Sequence, residues 1–314
     1  MSSELTTVLE SAPLGGPGDA GGGGDGNEPA GPARPRPAPR RSSRTLRRTL
    51  SYVVLTAGAV FVLFPLYMAV VTSLLTPAEY GHQPPLLWPP HPQWHVYVEA
   101  FTSGHMGHYL VNSLIQSSAI TIGTVVTSLL AAYAFAYLDF PFKRVLFVVV
   151  IATLMVPFEV TVAANFQTIS IVHAYGTTPG LILPFLAGSL GIFLLRQAFF
   201  QVPRELRDAA FVDGVGELGF LWRIATPLVR PMLATLGVIT FLGAWNQYLW
   251  PLLMTANNER IRTVQIGIRT LYQNNIQSFG EYLAGTIIAV APLLVVLIFF
   301  QRQLIANLHA GAVK

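Results

Sequence analysis

From about residue 50 onward the chain alternates between long apolar stretches and shorter polar connections. Six stretches approach the roughly 20 residues that cross a bilayer as helix. They run over 50–74, 110–137, 145–165, 180–199, 231–254 and 282–303. The pattern predicts an all-α, polytopic membrane protein with six transmembrane helices. The fourth and fifth stretches flank a polar segment with the character of a cytoplasmic loop, and the fifth and sixth flank a stretch rich in Asn and Gln. Residues 1–45 read differently: Gly21 to Gly24 form an unbroken run, followed by Pro32, Pro35, Pro37 and Pro39. Such a segment cannot bury enough apolar area to offset its chain entropy, so 1–45 is expected to be a disordered tail and 46–314 the membrane domain. It does not read as a signal peptide, because the apolar run starts only near residue 50 and no cleavage site precedes it.

Composition agrees. Of 314 residues, 52% are hydrophobic and only 11% charged, with a mean hydropathy of +0.52. Soluble domains carry about 25% charged residues, so the bilayer is the simpler solvent. Cysteine is absent, which removes disulfides and thiolate metal sites. The net charge of +4 raises the question of nucleic acid, but the positions of the charges answer it differently. Arg34, Arg36, Arg40, Arg41, Arg44, Arg47 and Arg48 crowd the entry to the first span, where a basic cluster orients the helix. With the amino terminus inside, that side also receives Lys143, Arg144, Arg196, Arg204, Arg207, Arg223, Arg230, Arg302 and Lys314, sixteen of the nineteen basic residues. The 35-residue segment 75–109 contains none. Both termini are therefore expected in the cytoplasm. Arg260, Arg262 and Arg269, after the fifth span, break the pattern.

Several chemistries are missing from the sequence. There is no G-x-x-x-x-G-K-[ST] phosphate loop, no G-x-S-x-G elbow and no H-E-x-x-H helix. No nucleophile–base pair or ligand set falls at a common membrane depth, so an enzyme is not expected and no cofactor is implied. The most informative stretch is 203–231, PRELRDAAFVDGVGELGFLWRIATPLVRP. Asp208-Ala209-Ala210 belongs to a short amphipathic helix, Asp213-Gly214 supplies a turn, and a second helix runs to about Ala225. Pro227 and Pro231 then restart the chain toward the membrane. A charged helix–turn–helix in a cytoplasmic loop suits docking into a partner's groove; an interfacial amphipathic loop has the same pattern.

This segment closely resembles the "EAA" loop of bacterial ABC-importer permeases, on Asp208, Ala209, Ala210, Asp213, Gly214, Ile224, Pro227 and Pro231. The resemblance extends through AAYAFAYLDFPFKR (131–144), GIFLLRQAFFQVPREL (191–206), FLGAWNQYLWPLL (241–253) and AGAVK (310–314), all similar to carbohydrate-uptake permeases of the maltose-transporter type. Asp208 stands where the family usually has Glu, and Thr226 where it usually has Leu. The resemblance implies the ABC type I importer permease fold and a bacterial plasma-membrane location. It also implies four kinds of partner: a second homologous permease, an ABC ATPase dimer, an extracytoplasmic solute-binding protein and membrane lipid. No nucleic acid is among them. By the same resemblance, Glu205, Asp208, Ala209, Ala210, Asp213 and Gly214 couple the permease to the ATPase.

For the solute path the residues offer Glu159 beside Pro157 in the third span, and Asn246, Gln247 and Tyr248 in the fifth, flanked by Trp245 and Trp250. An ionisable group at that depth is a functional candidate, and amide edges beside an aromatic face suit a sugar or polyol; interhelical packing and an aromatic belt also account for them. LMVPFEV (154–160) and WNQYLWPLL (245–253) most resemble glycerol-3-phosphate permeases. No Arg or Lys is visible in the spans to balance a phosphate, so a neutral sugar remains open. His82, His91, His95, His105, His108 and His173 fall on the outer side, but five prolines interrupt 82–95, and contact with a solute-binding protein is expected there rather than a metal site. A stand-alone channel or secondary transporter would explain the spans equally well, and would leave 203–231 unexplained.

Overall fold

The computed structural model describes residues 41–274 and 279–312. The remainder of the tail, 1–40, and the last residues of the AGAVK end lie outside the described residues. Among the described residues, those up to Ala57 group as one unit and those from Gly58 onward as another. Among the described residues, the first unit is the amino-terminal half of one helix, α1 (Arg41–Ser73). That helix already begins within the segment assigned to the tail.

In the second unit every regular element is helical among the described residues. After α1, a short α2 (His95–Phe101) leads into α3 (Met106–Tyr137), α4 (Lys143–Ala152), α5 (Phe158–Ile171), α6 (Thr178–Ile182) and α7 (Ser189–Phe199). The cytoplasmic-type segment holds α8 (Arg204–Val212), α9 (Glu217–Phe220) and α10 (Thr226–Leu228). It is followed by α11 (Arg230–Trp245), α12 (Leu249–Met254), α13 (Val264–Asn274) and α14 (Phe279–Ala312).

Among the described residues, three helices are single uninterrupted rods long and apolar enough to span: Arg47–Ser73, Met106–Tyr137 and Phe279–Gln301. Three further candidates are helix pairs bent at a break, of which the third, Glu217–Trp245, takes in part of the 203–231 segment and is not the predicted span 231–254. Lys143–Met155 and Phe158–Ile171 meet at 105°, Thr178–Phe185 and Ser189–Phe199 at 47°, and Glu217–Leu228 and Arg230–Trp245 at 79°. Six spans result if each bent pair counts as one. The first break is forced by Pro157, which cannot donate to the helix and pushes Val156 into extended backbone. The expected span 231–254 is also interrupted, since α11 ends at Trp245 and α12 restarts at Leu249.

Breaks inside a membrane expose carbonyls that no water can satisfy, so protein groups must do so. At the α6–α7 break the donors come from α3. Thr124 Oγ1 donates to the Phe185 carbonyl at 2.7 Å, Thr127 Oγ1 to Leu186 at 2.6 Å and Ser128 Oγ to Gly188 at 3.3 Å. Such close approach needs small residues. A Cβ on Gly123 would lie 2.4 Å from Leu186, and one on Gly191 2.3 Å from the Ser128 hydroxyl. The Gly180 carbonyl of α6, four residues before Pro184, which has no amide hydrogen to donate, accepts from the buried Trp250 indole of α12 at 3.1 Å.

Helix α3 packs against α7, α11 and α13. Its 32 residues span roughly 48 Å. One end carries a buried cluster of Leu129, Tyr133, Phe199, Phe220 and Leu221, which joins α3, α7 and the α8–α10 segment. The other end belongs to a second cluster with Met106, Tyr109, Trp245, Val264 and Leu271. There His108 Nε2 and Asn112 Nδ2 donate to the Arg260 carbonyl at 2.6 and 2.8 Å, and Ser113 Oγ accepts from the Val264 amide at 2.8 Å. The loop with Arg260 and Arg262 therefore lies at the opposite end of α3 from the α8–α10 segment. Helix α1 ends and α14 begins at that same end: a Cβ on Gly280 would lie 2.8 Å from the Ser73 carbonyl.

Candidate functional site

Two groups of residues singled out by the sequence lie at opposite ends of the α3 axis. The first is the 203–231 segment. Helix α8 ends in a left-handed glycine, Gly214 at φ +80°. The Val215 amide reaches back to the Ala210 carbonyl at 2.9 Å and the Gly214 amide to Phe211 at 3.0 Å. This is a Schellman cap, which glycine alone enters without steric cost. No atom lies within 4 Å of where a Gly214 Cβ would stand, so the backbone, not crowding, selects glycine. The second helix runs through a π-helical turn, Leu221–Ala225, and past Pro227 to Leu228, three residues beyond the expected end.

Burial sorts the predicted coupling residues. Ala210 is buried in the cluster at the end of α3, whereas Glu205, Asp208, Ala209, Asp213 and Gly214 are exposed. Around them Phe211, Val212, Leu218 and Trp222 also stand exposed, with Val212 88% accessible. The segment thus presents acidic and apolar groups outward and fixes itself inward through one alanine and the aromatic cluster.

Two residues the sequence did not single out hold this unit together. One Glu217 carboxylate oxygen accepts from Arg207 Nη2 and the other from the Tyr133 hydroxyl. The carboxylate therefore bridges α8, α9 and α3. Burial disfavours the Arg207 cation, but the hydrogen bond and charge of Glu217 outweigh it and raise its pKa, so Arg207 stays charged. Its guanidinium also lies 4.6 Å from the Phe211 ring centroid. Tyr133 packs against Tyr137, Phe199 and Phe220 with centroids 5.1–6.4 Å apart.

The second group is the polar cluster at the α11–α12 break. Asn246, Gln247 and Tyr248 do not sit within a continuous span; they form the break itself. Gln247 Oε1 accepts from the buried Gln116 of α3 at 2.8 Å, and Asn246 Oδ1 from Gln265 Nε2 of α13 at 3.4 Å. The same helix α13 brings Arg269, whose guanidinium carbon lies 5.9 Å from the Tyr248 ring centroid. A cation thus stands beside the amide and aromatic groups, where sequence reading placed none. Its signal lies in the 264–271 spacing: Val264, Ile268 and Leu271 fall on one helix face and pack into the cluster at that end of α3.

Glu159 is not brought into this group by any hydrogen bond among the described residues. It occupies the first turn of α5, immediately after the Pro157 break, and is exposed. Its neighbour Phe158 packs on Trp250 at 5.9 Å and Phe185 at 5.0 Å, so the turn itself is anchored. The histidines are dispersed. His91 pairs with Glu79 at 3.0 Å and His108 with the Arg260 carbonyl, and among the described residues no three His, Asp or Glu side chains converge.

Comparison with known proteins places this architecture. The chain is 35% identical over 266 residues to the sn-glycerol-3-phosphate transport system permease protein UgpE of Yersinia pestis bv. Antiqua (strain Antiqua), covering 82% of this chain and 94% of that one. It is 32% identical over 275 residues to the protein of the same name from Agrobacterium fabrum (strain C58 / ATCC 33970), covering 85% and 97%. In fold it is similar to a chain of a bacterial ABC transporter involved in the import of the acidic polysaccharide alginate. That likeness has a TM-score of 0.69 at 22% identity, over 85% of this chain and 99% of the other. Residues 123–309 match the family described as binding-protein-dependent transport system inner membrane component. With the α8–α9 unit, the broken spans and this match together, the chain belongs to the binding-protein-dependent transport system inner membrane components.

Proposed function

We propose that this permease of a binding-protein-dependent ABC importer is driven through its α8–α9 unit. The ATP-hydrolysing partner grips the exposed face that carries Glu205, Asp208, Ala209, Asp213 and Gly214. The observation that carries the reading is the Glu217 bridge, which ties that unit to the end of α3 instead of leaving it a loose connector. A push on α8 then reaches the spans as rigid-body displacement. A second homologous permease, a dimer of ATPase subunits and an extracytoplasmic solute-binding protein complete the machine. The chain supplies conduction surface and no bond chemistry. Both termini lie in the cytoplasm with the α8–α9 unit, consistent with the count of basic residues.

The solute belongs to the class of small anionic polyols such as sn-glycerol 3-phosphate, the solute in the name of the relatives. The supporting feature is Arg269 beside Tyr248, Asn246 and Gln265. A guanidinium recognises a phosphate, and amides recognise hydroxyls. A neutral sugar is the second reading, favoured by the amide–aromatic chemistry without the cation.

In proteoliposomes of the assembled importer, Gly214→Arg is expected to leave ATP hydrolysis running while uptake is lost; normal uptake would refute the coupling role. Arg269→Gln is expected to lower uptake of glycerol 3-phosphate by tenfold or more, because a charge-assisted hydrogen bond contributes about 1.5–3 kcal/mol. Unchanged uptake in that variant would move the assignment to a neutral solute.

A further inference from the structure

The amino-terminal half of α1 carries a feature that neither coupling nor conduction uses. Seven arginines fall between residues 34 and 48, and no acidic residue occurs between 29 and 78. Arg47 and Arg48 are exposed, and neither makes an ion pair among the described residues. A groove on one face of the helix is lined by Arg47, Arg48, Ser51, Tyr52 and Leu55. These residues follow one another at helical spacing, so the face reads cation, then hydroxyl, then apolar along the axis. At 1.5 Å per residue the hydroxyls lie roughly 5 Å and Leu55 roughly 10 Å beyond Arg48. The headgroup layer of one leaflet is about 5–8 Å deep. Beyond it the helix is bare apolar surface: Val54, Leu55, Phe61 and Val62 are 61–81% accessible.

We propose that this face is a binding site for an anionic glycerophospholipid of the inner leaflet. Arg47 and Arg48 hold the phosphate, the Tyr52 hydroxyl faces the glycerol ester level beside Ser51, whose own hydroxyl donates to the Arg47 carbonyl at 2.8 Å, and Leu55 meets the acyl chains. The order of polarity along the helix is the order along the lipid. A nucleic acid would need only the arginines and would leave the hydroxyl and apolar steps without a function. Each arginine near an anionic surface contributes about 1 kcal/mol, or roughly fivefold in affinity, and the effect fades with salt.

The test titrates the purified, assembled importer in neutral detergent with dioleoylphosphatidylglycerol and, separately, dioleoylphosphatidylcholine, reading bound lipid by native mass spectrometry. Wild type is expected to favour phosphatidylglycerol by at least tenfold at low salt, and less at high salt. Arg47→Gln/Arg48→Gln is expected to bring that ratio near unity, and Arg47→Lys/Arg48→Lys to keep most of it. Ser51→Ala/Tyr52→Phe is expected to weaken both lipids and leave the ratio alone. A reporter on the carboxyl terminus checks that each variant keeps its orientation. Equal wild-type affinities for the two lipids overturn the proposal, and this measurement stands even if the Gln variant fails to insert. So does an unchanged ratio in a correctly oriented Gln variant. Displacement of the lipid by poly-glutamate at matched charge concentration also overturns it, in favour of an acidic protein partner.

Discussion

Glu217→Gln tests whether the α8–α9 unit is held as one body. The change keeps an acceptor oxygen but removes the charge that Arg207 and Tyr133 both engage. The Arg207 side chain is 24% accessible and that of Glu217 39%. Solvent therefore screens the pair, and its worth lies near that of exposed ion pairs, at or below about 1 kcal/mol. Gln still accepts from Tyr133, so what is lost there is the charge assistance of that bond, about 1 kcal/mol. Together the loss is about 1–2 kcal/mol, which multiplies the population of the locally opened unit by roughly five- to thirtyfold. Hydrogen exchange read by mass spectrometry reports this directly. Amides of 204–228 should exchange faster by that factor, while those of α3 near Gly123 should not change. Tyr133→Phe and Arg207→Gln should each show part of the effect, and combined with Glu217→Gln should add less than their sum. Exchange within twofold of wild type in a folded Glu217→Gln protein would refute the bridge as a structural tie.

Two further outcomes follow from other parts of the molecule. Thr124→Val/Thr127→Val removes two donors from the α6–α7 break and should cost about 1–2 kcal/mol, given that hydrogen bonds in membranes average about 0.6 and reach about 1.7 kcal/mol; unfolding in mixed detergent–dodecyl sulfate micelles measures it. In the loop that follows α1, the Glu79 carboxylate is held below its ordinary value first by the Thr76 amide and then by His91. A depressed acid stabilises the folded loop above its unfolded pKa and ceases to do so as pH falls through its folded value. A nitroxide at Gln83 should therefore become mobile only as pH drops below the ordinary glutamate range near 4.5, and be mobile at every pH in Glu79→Gln.

The spans and the 203–231 unit were legible because hydropathy and glycine or proline punctuation are local signals. Gly214 after an amphipathic turn announces a helix cap, and the structure puts it at one. The breaks at 186–188 and 246–248 were not legible, because an apolar run has the same hydropathy whether straight or bent. Pro157 was visible, but the 105° angle depends on what α5 packs against, including Trp250 almost a hundred residues later. The approach of Arg269 to Tyr248 was not legible for a similar reason. Its polar, Asn- and Gln-rich surroundings read as a loop, and only the burial of Val264 and Leu271 folds that helix back onto Tyr248. Glu217 was passed over because its partner Tyr133 lies in a different span, beyond the reach of any local pattern.

Helix α3 differs from the helices around it in one respect. Both of the other long rods carry a proline within an unbroken helix, Pro65 in α1 and Pro292 in α14, and the remaining spans are bent pairs. Alone among the described spanning elements, α3 has neither a proline nor a break. It has no joint at which to fold, so a tilt imposed at its Tyr133 end must appear undiminished at its His108 end. Over roughly 48 Å, a tilt of about 5° moves the far end by about 4 Å. Under the proposed coupling, any substitution that softens α3 should cost transmission before it costs binding.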